Sequence, residues 1–312
     1  MTVRQGTRPP RLRPGDRVAV VAPSGPVAPE RLDAGLDILR GWDLDPVLAP
    51  HVRAGHGELA YLAAPDDCRA RDLQDAWCDP AVAAVFAARG GYGAQRMVDL
   101  LDWEAIRAAP PKPLIGFSDV TVLHEAFALR AGLATLHGPA VAGEIFLKDE
   151  PTRDHLRRTL FTPEDPAVTT LAPHSARTLV PGRAHGVTFG GCLALLASEA
   201  GTPDARPDAA GGLLLLEDVG ESPYAIDRAL TQLLRSGTLT GATGVLLGSW
   251  ARCGPYERVR AVLMDRLSGL GVPVVEDFGF GHGDSALTVP LGVRAWLDAD
   301  AGTLTLDAPP LT

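Results

Sequence analysis

Three short stretches carry residue types suited to acyl transfer: GFSDV at 116–120, LLLLED at 213–218 and FGFGHGD at 278–284. Ser118 stands where an apolar strand must turn sharply into a helix, a geometry that lifts a hydroxyl out of the sheet at the strand's carboxyl end. The position suits a nucleophile. The N–H groups that follow, beginning with Asp119, open a helix, lack intrahelical acceptors and can hold a developing oxyanion. A serine at such a junction can equally be an N-cap, and Val120 stands where a GxSxG elbow has its second glycine. Glu217 closes the run Leu213 to Leu216, so its charge lies at the rim of a buried strand and needs a partner: a catalytic group, a loop or Arg228. His282 lies between two glycines, which let the backbone bend and the imidazole point into a cleft; an exposed or core-satisfied histidine is the alternative. Taken together, a serine, an acid and a histidine each fall at a strand's carboxyl end, the edge where open α/β sheets build their sites. That makes a candidate triad in the order Ser, Glu, His.

A fourth stretch, ARGGYGAQR at 88–96, follows a strand and opens a helix, so its glycines bring free N–H groups to the same edge. Gly91 joins Asp119 as an expected oxyanion donor. Arg89 and Tyr92 are the expected substrate contacts; a guanidinium pairs bidentately with carboxylates, and a structural ion pair is the alternative role for Arg89. A dinucleotide fingerprint does not fit. Arg96 occupies the place of the third glycine, and no suitably placed acid follows about 20 residues on.

These residues require a scaffold of alternating strands and helices. RVAVVAP (17–23) reads as a strand and PERLDAGLDILRGW (29–42) as a helix; a helix over 66–79, a strand over 81–88 and a helix over 93–103 follow. LIGF and then DVTVLHEAFALRAG complete the next unit, with Gly132 as C-cap. In the second half, GGLLLLED is a strand, Ser222 and Pro223 start a helix that closes on Gly237, and GVLLGSW (244–250) is another strand. A helix over 255–268, a strand over 272–280 and a terminal hairpin around Asp-Ala-Gly complete the pattern. Residues 148–185 hold five prolines, many charges and no sustained period, and are expected to connect two domains. The expected organisation is an N-terminal α/β domain over 1–147, a mainly parallel sheet flanked by helices with a nucleophile elbow. A smaller β-rich, barrel-like α/β domain over 186–312 would carry Glu217 and His282.

Composition narrows the partners. The chain has 312 residues, 46% hydrophobic content and a net charge of −9, which disfavours nucleic-acid and anionic-membrane surfaces and leaves a small molecule or peptide. No secretory signal or spanning segment is evident, and the four cysteines form no CxxC pair, so a reduced, cytoplasmic protein is expected. No histidine spacing suggests a metal, and no cofactor is expected.

PGDRVAVVAPSGP, ARGGYGAQR, LIGFSDVT, LHGP, LLLEDVGESPYAIDRALTQL and FGFGHGD followed by LTVPLG occur in an order that resembles the serine LD-carboxypeptidases. These are murein tetrapeptide carboxypeptidases that trim muropeptides, and they are relatives of the microcin C immunity peptidase. The resemblance implies Ser118 as nucleophile, His282 as general base and Glu217 as the acid that orients it, split between two domains. It also implies a homodimer. The chain departs from the family at Cys192, where asparagine is common in Gly-Gly-Asn-Leu, and at Ala286, where asparagine is again usual. The implied reaction is cofactor-free hydrolysis of the bond before a terminal D-alanine in a muropeptide tetrapeptide, as in peptidoglycan recycling. Competing readings are an immunity-type peptidase acting on aminoacyl-sulfamoyl nucleotides, a non-enzymatic two-domain ligand-binding protein and, more remotely, a nicotinamide enzyme.

Overall fold

The computed structural model describes residues 3–312 as a two-domain α/β fold. Continuous apolar runs form its strands because both sheet faces are covered. In the first sheet, β1 (Arg17–Val21), β2 (Asp45–Leu48), β3 (Ala84–Ala87), β4 (Leu114–Gly116) and β5 (Thr135–His137) are all parallel. The second sheet takes β6 (Thr170–Leu171), β7 (Arg177–Val180), β8 (Arg183–Cys192), β9 (Gly212–Val219), β10 (Gly244–Ala251) and β11 (Val274–Glu276). β12 (Val289–Leu291) then returns to the first sheet, antiparallel to β5, before β13 (Arg294–Asp298) and β14 (Thr303–Leu306) close the second as a hairpin. The orders are β12-β5-β4-β3-β1-β2 and β6-β14-β13-β8-β9-β10-β11-β7.

Alternation along the strands divides each domain's core between two faces. Val18 and Val20 pack with Leu32, Leu36 and Leu39 of the helix Pro29–Gly41, whereas Ala19 and Val21 face Leu73 and Trp77 of the helix Asp66–Cys78. In β9, Leu214 and Leu216 lie under Ile226 and Leu230 of the helix Pro223–Arg235, and Leu213 and Leu215 face Phe278 and Phe280. Each such side chain contributes about 1.5–3 kcal/mol by leaving water, which holds the carboxyl ends of β4 and β9 rigid.

Several expectations are corrected. The helix expected over 93–103 is broken into Ala94–Met97 and a 3₁₀ turn at Val98–Leu100, because Asp102 caps a separate helix, Trp103–Ala108, through the N–H groups of Glu104 and Ala105. Ser222 precedes the helix Pro223–Arg235 without a side-chain capping bond. Residues 148–185 are not irregular: they contain the helix Glu150–Phe161, capped by Asp149, and strands β6 and β7. Their charges lie on the solvent face of that helix while His155, Leu156 and Leu160 are buried, which masks the period in a short window. The strands expected over 81–88 and 272–280 are shorter, at Ala84–Ala87 and Val274–Glu276.

Candidate active site

After β4, Phe117 remains extended (φ −156°) and Ser118 swings to φ +65°, one of four non-glycine residues with positive φ among the described residues. A side chain in this left-handed region costs about 1 kcal/mol, strain that the packed strand and helix on either side must sustain. The chain then enters a 3₁₀ turn, Ser118–Val120, and the helix Thr121–Ala126. No hydrogen bond engages Ser118 Oγ among the described residues, so the hydroxyl is not spent as a cap.

Asp119 turns its side chain inward. Its Oδ2 accepts from the Ala94 N–H at 2.8 Å, tying the elbow to the helix that the glycine loop opens. Burial raises the Asp119 carboxyl above its ordinary range, against the Ala94 N–H, Arg69 and Ser24, although no well-formed hydrogen bond reaches Ser24 Oγ. Arg69, buried among these loops, donates to the carbonyls of Ala64, Pro23 and Gly93. The sequence reading missed this cross-brace, since arginine is rarely buried and its spacing gives no sign of its acceptors.

In the glycine loop Gly91 adopts φ +115°, and neither its N–H nor that of Asp119 donates to another group of the chain among the described residues. Arg89 Nη1 donates to the Pro26 carbonyl at 2.8 Å, and among the described residues the guanidinium makes no ion pair. Tyr92 is 45% exposed and packs against Tyr61, 52% exposed, with ring centroids 5.9 Å apart.

On the second sheet Glu217 is fully buried at the end of β9, and its Oε2 lies 2.6 Å from His282 Nδ1. With Glu217 ionised, Nδ1–H donates to it and Nε2 is left as the acceptor. The alternative partner, Arg228, instead sits over the Tyr224 ring at 5.7 Å. Gly281 makes the pairing sterically feasible: its φ is +94°, and a Cβ there would lie 2.5 Å from Glu217 Oε2. Next to Glu217, burial pushes the Asp218 carboxyl up to about 6, while burial and the two carboxylates push the Cys192 thiol well up.

The two halves meet at Phe117, the residue before Ser118, whose ring lies 4.7 Å from that of His282. Ser118 Oγ and His282 are not hydrogen-bonded in this structure; catalytic contacts of this kind often tighten only when substrate binds. Behind Phe117, His137 is wholly buried and its pKa is pushed down to about 3 by burial and by His124 and His282, so it stays neutral. The loop after His282 is anchored by the helix Glu150–Phe161. The Ala286 N–H donates to Thr152 Oγ1 at 2.8 Å and the Thr288 N–H to His155 Nδ1 at 3.1 Å. Because the Ala286 anchor uses backbone, the missing asparagine side chain does not release it. A cavity of about 460 Å³ opens beside His282, lined in part by Ser249, Arg252, Asp277 and Asp284.

The arrangement has relatives. Residues 18–138 match the model of the LD-carboxypeptidase N-terminal domain, and residues 185–297 that of the C-terminal domain. A protein of Streptomyces coelicolor is 68% identical over 99% of both chains. The murein tetrapeptide carboxypeptidase of Pseudomonas aeruginosa is 35% identical over 91% of this chain and 94% of its own. Among solved structures, the muramoyltetrapeptide carboxypeptidase from Oxalobacter formigenes aligns with a TM-score of 0.76 at 30% identity, covering 93% of this chain and 97% of that one. MccF in complex with glutamyl sulfamoyl guanosine aligns at 0.84 with 22% identity over 98% and 99%, a likeness of fold. The chain therefore belongs to the LD-carboxypeptidase family and is a serine-type carboxypeptidase.

Proposed function

We propose that this hydrolase cleaves the bond preceding a terminal D-alanine in a muropeptide tetrapeptide, in peptidoglycan recycling, with Ser118, His282 and Glu217 as its triad. One observation carries the reading: a buried Glu217–His282 pair at 2.6 Å rests against the residue that precedes a strained, uncommitted serine at a helix start. In this mechanism His282 Nε2 takes the Ser118 proton as Oγ attacks the carbonyl carbon of the L-residue. The oxyanion is held by the Gly91 and Asp119 N–H groups, each such donor being worth about 3 kcal/mol. His282 then delivers the proton to the departing D-alanine amine. Water, deprotonated in turn by His282, cleaves the acyl-enzyme and the proton returns to Ser118. Glu217 fixes the tautomer and stabilises the imidazolium. Arg89, whose guanidinium has no carboxylate partner among the described residues, receives the substrate's terminal carboxylate, and Tyr92 forms part of the same wall.

The four free cysteines suit a reducing compartment, and we assign the protein to the cytoplasm on that ground. The test is incubation with a sugar-free tetrapeptide and, separately, with an aminoacyl-sulfamoyl adenylate, with products read by mass spectrometry. Release of D-alanine from the tetrapeptide, abolished in a folded Ser118→Ala variant, is expected. Cleavage of only the adenylate, or wild-type-like turnover by the variant, would overturn the reading.

A further inference from the structure

A triad divided between two sheets raises a mechanical question: what sets the distance between the halves? One helical turn beyond Ser118, Thr121 is buried, and its Oγ1 accepts a hydrogen bond from the Cys192 N–H at 3.0 Å. Cys192 ends β8 and lies in register with Glu217 on β9. The path from nucleophile to base is therefore short: one turn of helix, the Thr121–Cys192 bond, one step across the ladder and the Glu217–His282 bond.

The local geometry has no simpler explanation in the strands themselves. β13 pairs with β8 only as far as Val187, so on that side the Cys192 N–H has no strand to receive it, and a buried donor needs an acceptor. Thr121 supplies it. Gly191, at φ +143°, permits the approach: a Cβ there would lie 2.6 Å from Thr121 Oγ1 and 3.1 Å from its Cγ2. The contact uses the backbone of residue 192, so the family's asparagine side chain is dispensable for it; the thiol points to Asp218 Oδ1 at 3.5 Å instead. Farther along, the buried Glu125–Arg206 pair and the Arg130–Asp204 pair at 2.5 Å also cross between domains. They secure the distal part of this helical segment, leaving Thr121 to secure the end that bears Ser118.

We propose that Thr121 and Gly191 are positioning residues whose contact holds Ser118 at working distance from His282. The proposal rests on the triad assigned above. Thr121→Val keeps the β-branched shape and deletes the acceptor, and Thr121→Ser restores it. In Thr121→Val, kcat for the tetrapeptide falls about 10- to 100-fold while KM stays within about twofold, since misplacement of roughly an ångström affects chemistry more than binding. The rate of Ser118 labelling by a fluorophosphonate falls in parallel, and Thr121→Ser recovers most of both. Gly191→Ala, which forces the same helix end outward, reproduces the loss should the valine variant fold poorly; circular dichroism reports the folded fraction. Wild-type labelling by folded Thr121→Val, or a defect that serine does not rescue, overturns the proposal. Labelled wild type that leaves the tetrapeptide intact sinks the substrate reading alone, because labelling still tests the positioning. Wild type that is neither labelled nor active sinks the triad, and crystal structures then decide: an unchanged Ser118–His282 separation in Thr121→Val refutes the positioning role.

Discussion

At the scale of single residues, the Glu217–His282 pair is the most informative contact. The Glu217 carboxyl is fully buried with Oε2 on Nδ1 and, among the described residues, no hydrogen-bond partner for Oε1; a buried polar group without a partner is costly, and the pairing fits the proposed role of steadying an imidazolium. Glu217→Gln keeps the shape but can present its amide to Nδ1 and select the wrong tautomer. It is expected to lower kcat on the order of 10³- to 10⁴-fold with the fold retained by circular dichroism; a loss below about tenfold would place the acid outside the relay. The sequence required some partner for Glu217 but could not choose between Arg228 and His282. Arg228 is near in the chain and His282 is 65 residues away, and only the tertiary path through Gly281 decides between them.

At the scale of elements, the elbow between β4 and its helix was legible because an apolar run, a serine and a helix-forming stretch succeed one another without a linker. The positive φ of Ser118 was not legible, since serine gives no sign of it as glycine does at Gly91. That strain yields a stability prediction. Ser118→Gly should be more stable than Ser118→Ala by about 1 kcal/mol in denaturant unfolding, because only glycine occupies this region without a Cβ penalty. Equal stability, or a less stable glycine variant, would mean that the turn relaxes once the hydroxyl is removed. The broken helix after Gly93 was missed for a related reason. Apolar spacing in Met97, Val98, Leu100 and Leu101 imitates a continuous helix, while the Asp102 cap that restarts it is a local side-chain choice.

At the scale of the whole molecule, the division into two sheets was legible and its stitching was not. Residues 148–185 looked like a connector because of their prolines and charges, yet Thr152 and His155 from that region hold the loop that follows His282. β12 likewise carries the chain back to the first sheet immediately after the histidine loop, a crossover that three apolar residues could not announce. The crossing contacts, including the Arg206–Glu125 pair, make the site a property of both domains together. The most direct measurement of that unity is fluorophosphonate labelling mapped by mass spectrometry in wild type and His282→Ala. The account predicts a single adduct on Ser118 whose formation slows about 10²-fold or more without the imidazole. An adduct on another residue, or undiminished labelling in the variant, would contradict it.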